Sequence, residues 1–303
     1  MSTASVHSLE DIPPVAAGTP GVADARWLPD ASFDDAWNEI LMPGDTKIQL
    51  ARQATATMLL RRDIAQASLP LHGIVLLAGV PGTGKTTVAR GLASRVAASI
   101  GSRQVAYIEV DPHELTSSSL GRSQRAVDEL FNATIMPVAQ QHVTVVLLDE
   151  VETLATDRAG LSRDANPIDV HRATDAALTN LDRLAATCPD VLIIATTNFD
   201  EAVDDAFVSR ADIVHRFALP DSDTRAAILE NTIRAIDAHY PGAASVITDP
   251  KFRHAVDAGD GLDGRTLRKA VAAAAAMEPN FDFAALTPDH LVTAITEARE
   301  FRQ

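Results

Sequence analysis

The stretch that most constrains this chain is Gly79-Val80-Pro81-Gly82-Thr83-Gly84-Lys85-Thr86. The apolar run Gly73-Ile74-Val75-Leu76-Leu77-Ala78 leads into it, and Thr87-Val88-Ala89-Arg90-Gly91-Leu92-Ala93 follows. A buried strand, a glycine-rich turn and a helix start, in that order, are what a Walker A phosphate loop requires. The glycines let the backbone wrap an oligophosphate, so that successive N–H groups and the helix N-terminus face the anion. Lys85 is placed to reach the β- and γ-phosphates, and the Thr86 hydroxyl to ligate Mg2+. The expected contacts for ATP and Mg2+ are thus Gly79, Pro81, Gly82, Thr83, Gly84, Lys85, Thr86 and Thr87. An idle strand-to-helix turn is the weaker reading, because every fixed position is filled and both flanks are correct.

Downstream, Val143-Thr144-Val145-Val146-Leu147-Leu148 is a continuous apolar strand of the kind buried on both faces in parallel sheets. It ends in Asp149-Glu150, a Walker B arrangement. Asp149 is expected to hold the Mg2+ shell through water, and Glu150 to orient and deprotonate the attacking water. Glu152 is a second candidate for that water. The strand 191–195 runs into Thr196-Thr197-Asn198, where an amide can hold the lytic water or the γ-phosphate. Arg210 precedes a weak last strand, Ile213 to Phe217. Phosphoryl transfer gains from a guanidinium facing the developing charge, often supplied in trans. The bland alternative is a surface arginine paired with Asp205 or Asp212. Arg265 opens a helix after Gly264, from which it can lean onto the γ-phosphate and report nucleotide state.

Three segments follow from the patterning. Residues 1–30, rich in Pro, Ala, Ser, Thr and Gly, read as a mobile tail. Residues 31–220 read as an α/β nucleotide-binding domain in which strands alternate with helices around a parallel sheet. Its helices include one that places Trp37 and Ile40 on a common face. A second starts at Asp45 and buries Ile48, Ala51, Ala54, Met58 and Leu59, and a third spans 123–139. Residues 221–303 show helices only, at about 222–239, 251–258, 263–277 and 287–301, and read as a small lid.

The chain has 303 residues, 46% hydrophobic but only 4% aromatic, enough for a sizeable aliphatic core. A formal net charge of -15 argues against nucleic acid or anionic membranes as main partners. The lone Cys188 excludes an intramolecular disulfide and fits a reducing cytoplasm. Neither a signal peptide nor a membrane-spanning run is recognisable.

Together these segments resemble the AAA+ ATPases, with Asn198 as sensor 1, Arg210 as arginine finger and Arg265 as sensor 2. Within them, Phe33-Asp34-Asp35-Ala36-Trp37, Leu148 to Leu154, Ala206-Phe207-Val208-Ser209-Arg210-Ala211-Asp212-Ile213 and Gly261-Leu262-Asp263-Gly264-Arg265 resemble the pachytene checkpoint remodellers. The resemblance covers residues 33 to 280. It implies a P-loop three-layer α/β/α domain with a five-stranded parallel sheet, followed by an all-helical lid. It also implies a homo-hexameric ring that uses ATP to open HORMA-domain proteins. The short N-terminal extension is similar to that of the bacterial form. That form accompanies a HORMA protein and a nucleotidyltransferase making cyclic-oligonucleotide signals in anti-phage defence, and the ATPase would switch the complex off. The resemblance places the first pore loop at Leu115 to Gly121, with Ser119 and Leu120, followed by Gly121, where the family usually carries an aromatic grip. Segment 164–171 is a second candidate pore loop. The competing readings are a DNA clamp- or helicase-loading machine, a general unfoldase, and a non-hydrolysing nucleotide-switch scaffold.

Overall fold

The computed structural model describes residues 13–101, 104–115, 122–154, 167–198, 203–277 and 282–301. Two compact units emerge, and the chain passes between them more than once. The first comprises residues up to Glu39, Lys47–Gly79 and Lys85–Arg216, and the second Ile40–Thr46, Val80–Gly84 and the chain from Phe217 onward.

The first unit is built on a sheet of β1 (Val22–Leu28), β2 (Ile74–Gly79), β3 (Val105–Val110), β4 (Thr144–Leu148), β5 (Val191–Thr197) and β6 (Ile213–Phe217), in the order β1-β3-β4-β5-β2-β6. β3, β4, β5 and β2 are parallel neighbours, with Ala106 opposite Thr144, Thr144 opposite Val191, and Ile74 opposite Ile193. Every residue of β3, β4 and β5 is buried, which is why these strands read as unbroken apolar runs.

Its helices are α1 (Ala31–Glu39), α2 (Thr46–Asp63), α3 (Lys85–Ile100), α4 (Pro112–Leu115), α5 (Arg122–Glu129), α6 (Met136–Ala139), α7 (Pro167–Thr187) and α8 (Asp205–Val208). Ile108, Val146, Leu148 and Ile193 face a core shared with Val127 of α5 and Leu181 and Leu184 of α7. α3 packs on the opposite face with α1 against it. Phe33 meets Tyr107 edge-on at 5.1 Å, and a Cβ on Gly91 would lie 2.5 Å from that of Trp37. The rotation of α3 is fixed by Arg90, whose Nε and Nη2 donate to the buried Glu109 carboxylate at 3.0 and 2.6 Å. Tyr107 donates to the same carboxylate at 2.7 Å, and burial, then the neighbouring carboxylate, pushes its pKa up and keeps it neutral.

Four sequence expectations change here. The sheet gains a sixth strand, because Val22–Leu28, expected within the mobile tail, pair antiparallel with β3 from Val22 opposite Val110 to Leu28 opposite Val105. Its charges hid it. Asp24 and Arg26 pair at 2.7 Å on this exposed edge, where charge is tolerated and discourages further pairing. The expected helix 123–139 is interrupted by a π-helical turn, Leu130–Ile135, just before Pro137. A proline there lacks the N–H of a regular helix and crowds the preceding turn, and a π-turn relieves both. On α2 the buried residues are Leu50, Ala54, Thr57, Met58 and Arg61, while Ile48 and Leu59 are 50% and 42% exposed. Arg61 is buried because its guanidinium donates to the carbonyls of Val191, Ala185 and Cys188. Ile40 lies past the end of α1 and belongs to the second unit.

In the second unit, α9 (Ser222–Asp237), α10 (Phe252–Ala258), α11 (Gly264–Ala275) and α12 (Pro288–Glu300) enclose a core including Leu229, Val256, Leu267, Val271 and Leu291. Asp221, Asp263 and Thr287 cap α9, α11 and α12 by accepting from the N–H groups of Thr224, Thr266 and His290. Among the described residues, no helix is long and apolar enough to cross a membrane.

Candidate active site

The C-terminal ends of β2, β4 and β5 bring together polar groups from far apart in the chain. Lys85, only 5% exposed at the start of α3, donates to the Gly79 carbonyl at 2.8 Å and to Asn198 Oδ1 at 2.9 Å. Thr86 Oγ1 donates to Asp149 Oδ1 at 2.9 Å, and Thr196 Oγ1 donates to the same oxygen. Asn198 Nδ2 donates to Glu150 Oε1 at 3.2 Å, and Asn198 N–H to Glu152 Oε1 at 3.1 Å. Glu150 itself sits at φ 51°, ψ 53°, a left-handed conformation that costs a non-glycine residue energy. The turn is held by its N–H, which donates to Thr196 Oγ1 at 3.2 Å. Its carboxylate is 45% exposed, open enough to meet a water.

Lys85, Thr86, Asp149, Glu150 and Asn198, singled out separately along the sequence, are thus one hydrogen-bonded constellation. Glu152 touches it through the Asn198 backbone. Thr87 lies within the first turn of α3, half-buried. Thr196 had only its place beside Asn198 to mark it. His113, with its Nε2 3.5 Å from Glu150 Oε2, had no sequence signal, since α4 follows a different strand.

Val80–Gly84 belong to the second unit and are described within it. Gly82 and Gly84 take φ values of 85° and 92°, a backbone favouring glycine. A Cβ on Gly82 would lie 2.1 Å from Asp263 Oδ1, and one on Gly84 2.9 Å from Ile40 Cδ1. Thr83 Oγ1 closes the turn onto the Val80 carbonyl at 2.9 Å, and Pro81 is exposed. Arg265 N–H reaches the Gly82 carbonyl at 3.3 Å, while the Arg265 side chain is exposed.

These residues fit a nucleoside triphosphate with a divalent cation. At the end of β2 a buried ammonium suits the phosphates, and a threonine hydroxyl bonded to the Asp149 carboxylate suits the cation. A hard cation takes such oxygen ligands and completes its shell with phosphate and water.

Arg210 is elsewhere. Its Nε and Nη2 donate to the two oxygens of Asp182 at 2.6 and 2.8 Å, and its Nη1 to the Ala206 carbonyl at 2.5 Å. The sequence offered Asp205 or Asp212 as partners, and neither is used here. Asp212 instead accepts the backbone N–H groups of His72, Gly73 and Ile74 at 3.0, 2.6 and 3.1 Å, clamping the start of β2. Ser119, Leu120 and Gly121 lie outside the described residues, as do residues 164–166 of the second expected loop. The backbone of 167–171 begins α7.

Residues 75–219 match the model of the ATPase family associated with various cellular activities (AAA). The chain is 47% identical over 284 residues to the CD-NTase-associated protein 6 of Pseudomonas aeruginosa, covering 93% of each protein. It is also 32% identical over 275 residues to a pachytene checkpoint protein 2 homologue of Oryza sativa subsp. indica, covering 80% of this chain and 58% of that protein. The chain belongs to the pachytene checkpoint branch of the AAA ATPases. A chain of a solved Escherichia coli MS115-1 complex named HORMA:CdnC:Trip13 has the same fold as this chain. Its TM-score is 0.71 at 16% identity, over 91% of this chain and 95% of that one. The chain spans a little over half the length of the rice relative, and nearly all of the Pseudomonas one.

Proposed function

We propose that this AAA ATPase hydrolyses ATP as a hexameric ring and uses the cycle to open a HORMA-domain protein, releasing a nucleotidyltransferase complex from its signalling state. The observation that carries the hydrolytic part is the convergence of Lys85, Thr86, Asp149, Glu150 and Asn198 on one spot. Lys85 would bind the β- and γ-phosphates, with its ammonium held in place by the Gly79 carbonyl and the Asn198 amide. Thr86 and Asp149 would hold Mg2+, which when bound neutralises phosphate charge. Glu150 would accept the proton of the attacking water, and Asn198, bonded to both Lys85 and Glu150, would keep base and phosphate in register. The part assigned to Arg265 rests on the family resemblance.

Ring formation is supported by the place of Arg210. Asp212, two residues on, clamps the start of β2 at Ile74, whereas the loop leaves that strand from Gly79. Five steps of about 3.3 Å separate the two ends, roughly 16 Å. Arg210, fixed beside the far end of the strand, is badly placed to serve its own subunit's nucleotide and suited to a neighbour's.

The partner class is supported by the name of the Pseudomonas relative, matched over nearly its whole length, and by the components of the Escherichia coli complex. The test is a pull-down from the native host with the Glu150→Gln variant and ATP. Recovery of a HORMA-fold protein, absent with Lys85→Ala, is the expected result. Recovery of replication proteins or DNA would leave only the ATPase assignment.

A further inference from the structure

We infer that Asp182 is the positioning residue of Arg210, presenting its guanidinium to the nucleotide of a neighbouring subunit. The inference rests on the reading that Arg210 acts in trans. A guanidinium carries five N–H donors in a rigid plane. Asp182 takes one from Nε and one from Nη2, the side-on bidentate pairing, and the Ala206 carbonyl takes one from Nη1. Three contacts fix the plane and still leave one donor on each terminal nitrogen. A fork with two remaining donors matches a phosphoryl group.

Asp182 is itself firmly mounted. It projects from α7, whose neighbouring Leu181 and Leu184 are buried in the core. His72 Nε2 lies 3.8 Å from Asp182 Oδ1, and the His72 backbone is tied down by Asp212. The Arg210 hydrogen bonds hold the Asp182 carboxyl below its ordinary range, so the pair stays ionised near neutrality. The arginine side chain is 23% exposed and the carboxylate 46%, so the pair sits at the surface, where a neighbouring subunit can meet it.

Mixed assemblies test this. Glu150→Gln subunits keep Arg210 but cannot activate water, and Arg210→Ala subunits keep Glu150 but lack the guanidinium. Mixed, they should recover ATP turnover well above either alone. Adding Asp182→Asn to the Glu150→Gln subunit should lower that recovered kcat by up to about a hundredfold with KM unchanged, the loss a misplaced catalytic group can bring. Adding it instead to the Arg210→Ala subunit should leave the recovery intact. Recovery in the plain mixture with no loss from Asp182→Asn, or with a gain, would overturn the inference about Asp182 alone. Equal losses in either subunit would reduce Asp182 to a structural role and overturn it likewise. No recovery in the plain mixture would remove both the trans reading and the inference built on it.

Discussion

The two ends of β2 are built on opposite plans. At its C-terminal end, Lys85, Thr86, Asp149, Glu150 and Asn198 bond to one another yet keep capacity to spare. The Glu150 carboxylate, for one, is nearly half exposed. At its N-terminal end the polar groups are committed. Asp212 accepts three consecutive backbone N–H groups, and Asp182 takes Arg210 with both oxygens. The open end is arranged to receive a ligand, whereas the committed end holds a strand in place and leaves a single arginine fork for use. Substitutions at the first should therefore change chemistry with little effect on stability. At the second they should change stability, except where they reach Arg210.

The largest effect expected is from Arg210→Ala, which should lower turnover of the assembled protein by about a thousandfold, read as phosphate release at saturating ATP. A loss of under threefold would make Arg210 as structural as its neighbours. Glu150→Gln should reduce turnover by about a hundredfold or more while nucleotide still binds, which fluorescent-nucleotide titration would show. Lost binding instead would mean the open end is also a structural one. Asp212→Asn should cost about 2 kcal/mol in denaturant unfolding, since an amide replaces a charged acceptor of three N–H groups, while the KM for ATP stays put. An unchanged midpoint would show that β2 needs no clamp.

The smallest effect is one of pH. His215 lies in β6, beyond Asp212, and burial lowers its pKa from 6.5. The unfolded chain then binds the proton first, so stability is full above pH 6.5 and falls as the pH drops through the folded value. Replacing His215 with Gln should flatten the fall of the thermal midpoint below about pH 6.5. A slope that persists unchanged would assign it to other groups.

The open end was legible in the sequence because each part falls within a short stretch of chain. Strand, glycine turn, lysine and threonine are contiguous, and the acid pair directly ends an apolar strand. The committed end was not. Asp182 stands 28 residues before Arg210 on a helix face, where one acidic residue looks like any other. The assignment of Asp205 or Asp212 to Arg210 followed nearness in sequence, and the fold spends Asp212 on β2 instead. β1 was missed for a related reason, because an edge strand needs only one good side and its charges imitate a loop. The exposed Ile48 and Leu59 of α2 were misplaced because Arg61, polar by type, had taken the buried position by finding three carbonyls.

Gly82 and Asp263 form a pair that a double substitution would reveal. An alanine at 82 needs both a left-handed backbone and the space that the Asp263 carboxylate fills. Trimming Asp263 to Ser returns the space and retains a helix cap, but it cannot restore the backbone freedom. Restoration of ATP turnover to Gly82→Ala by Asp263→Ser should thus be partial, and no larger residue at 82 should be restored at all.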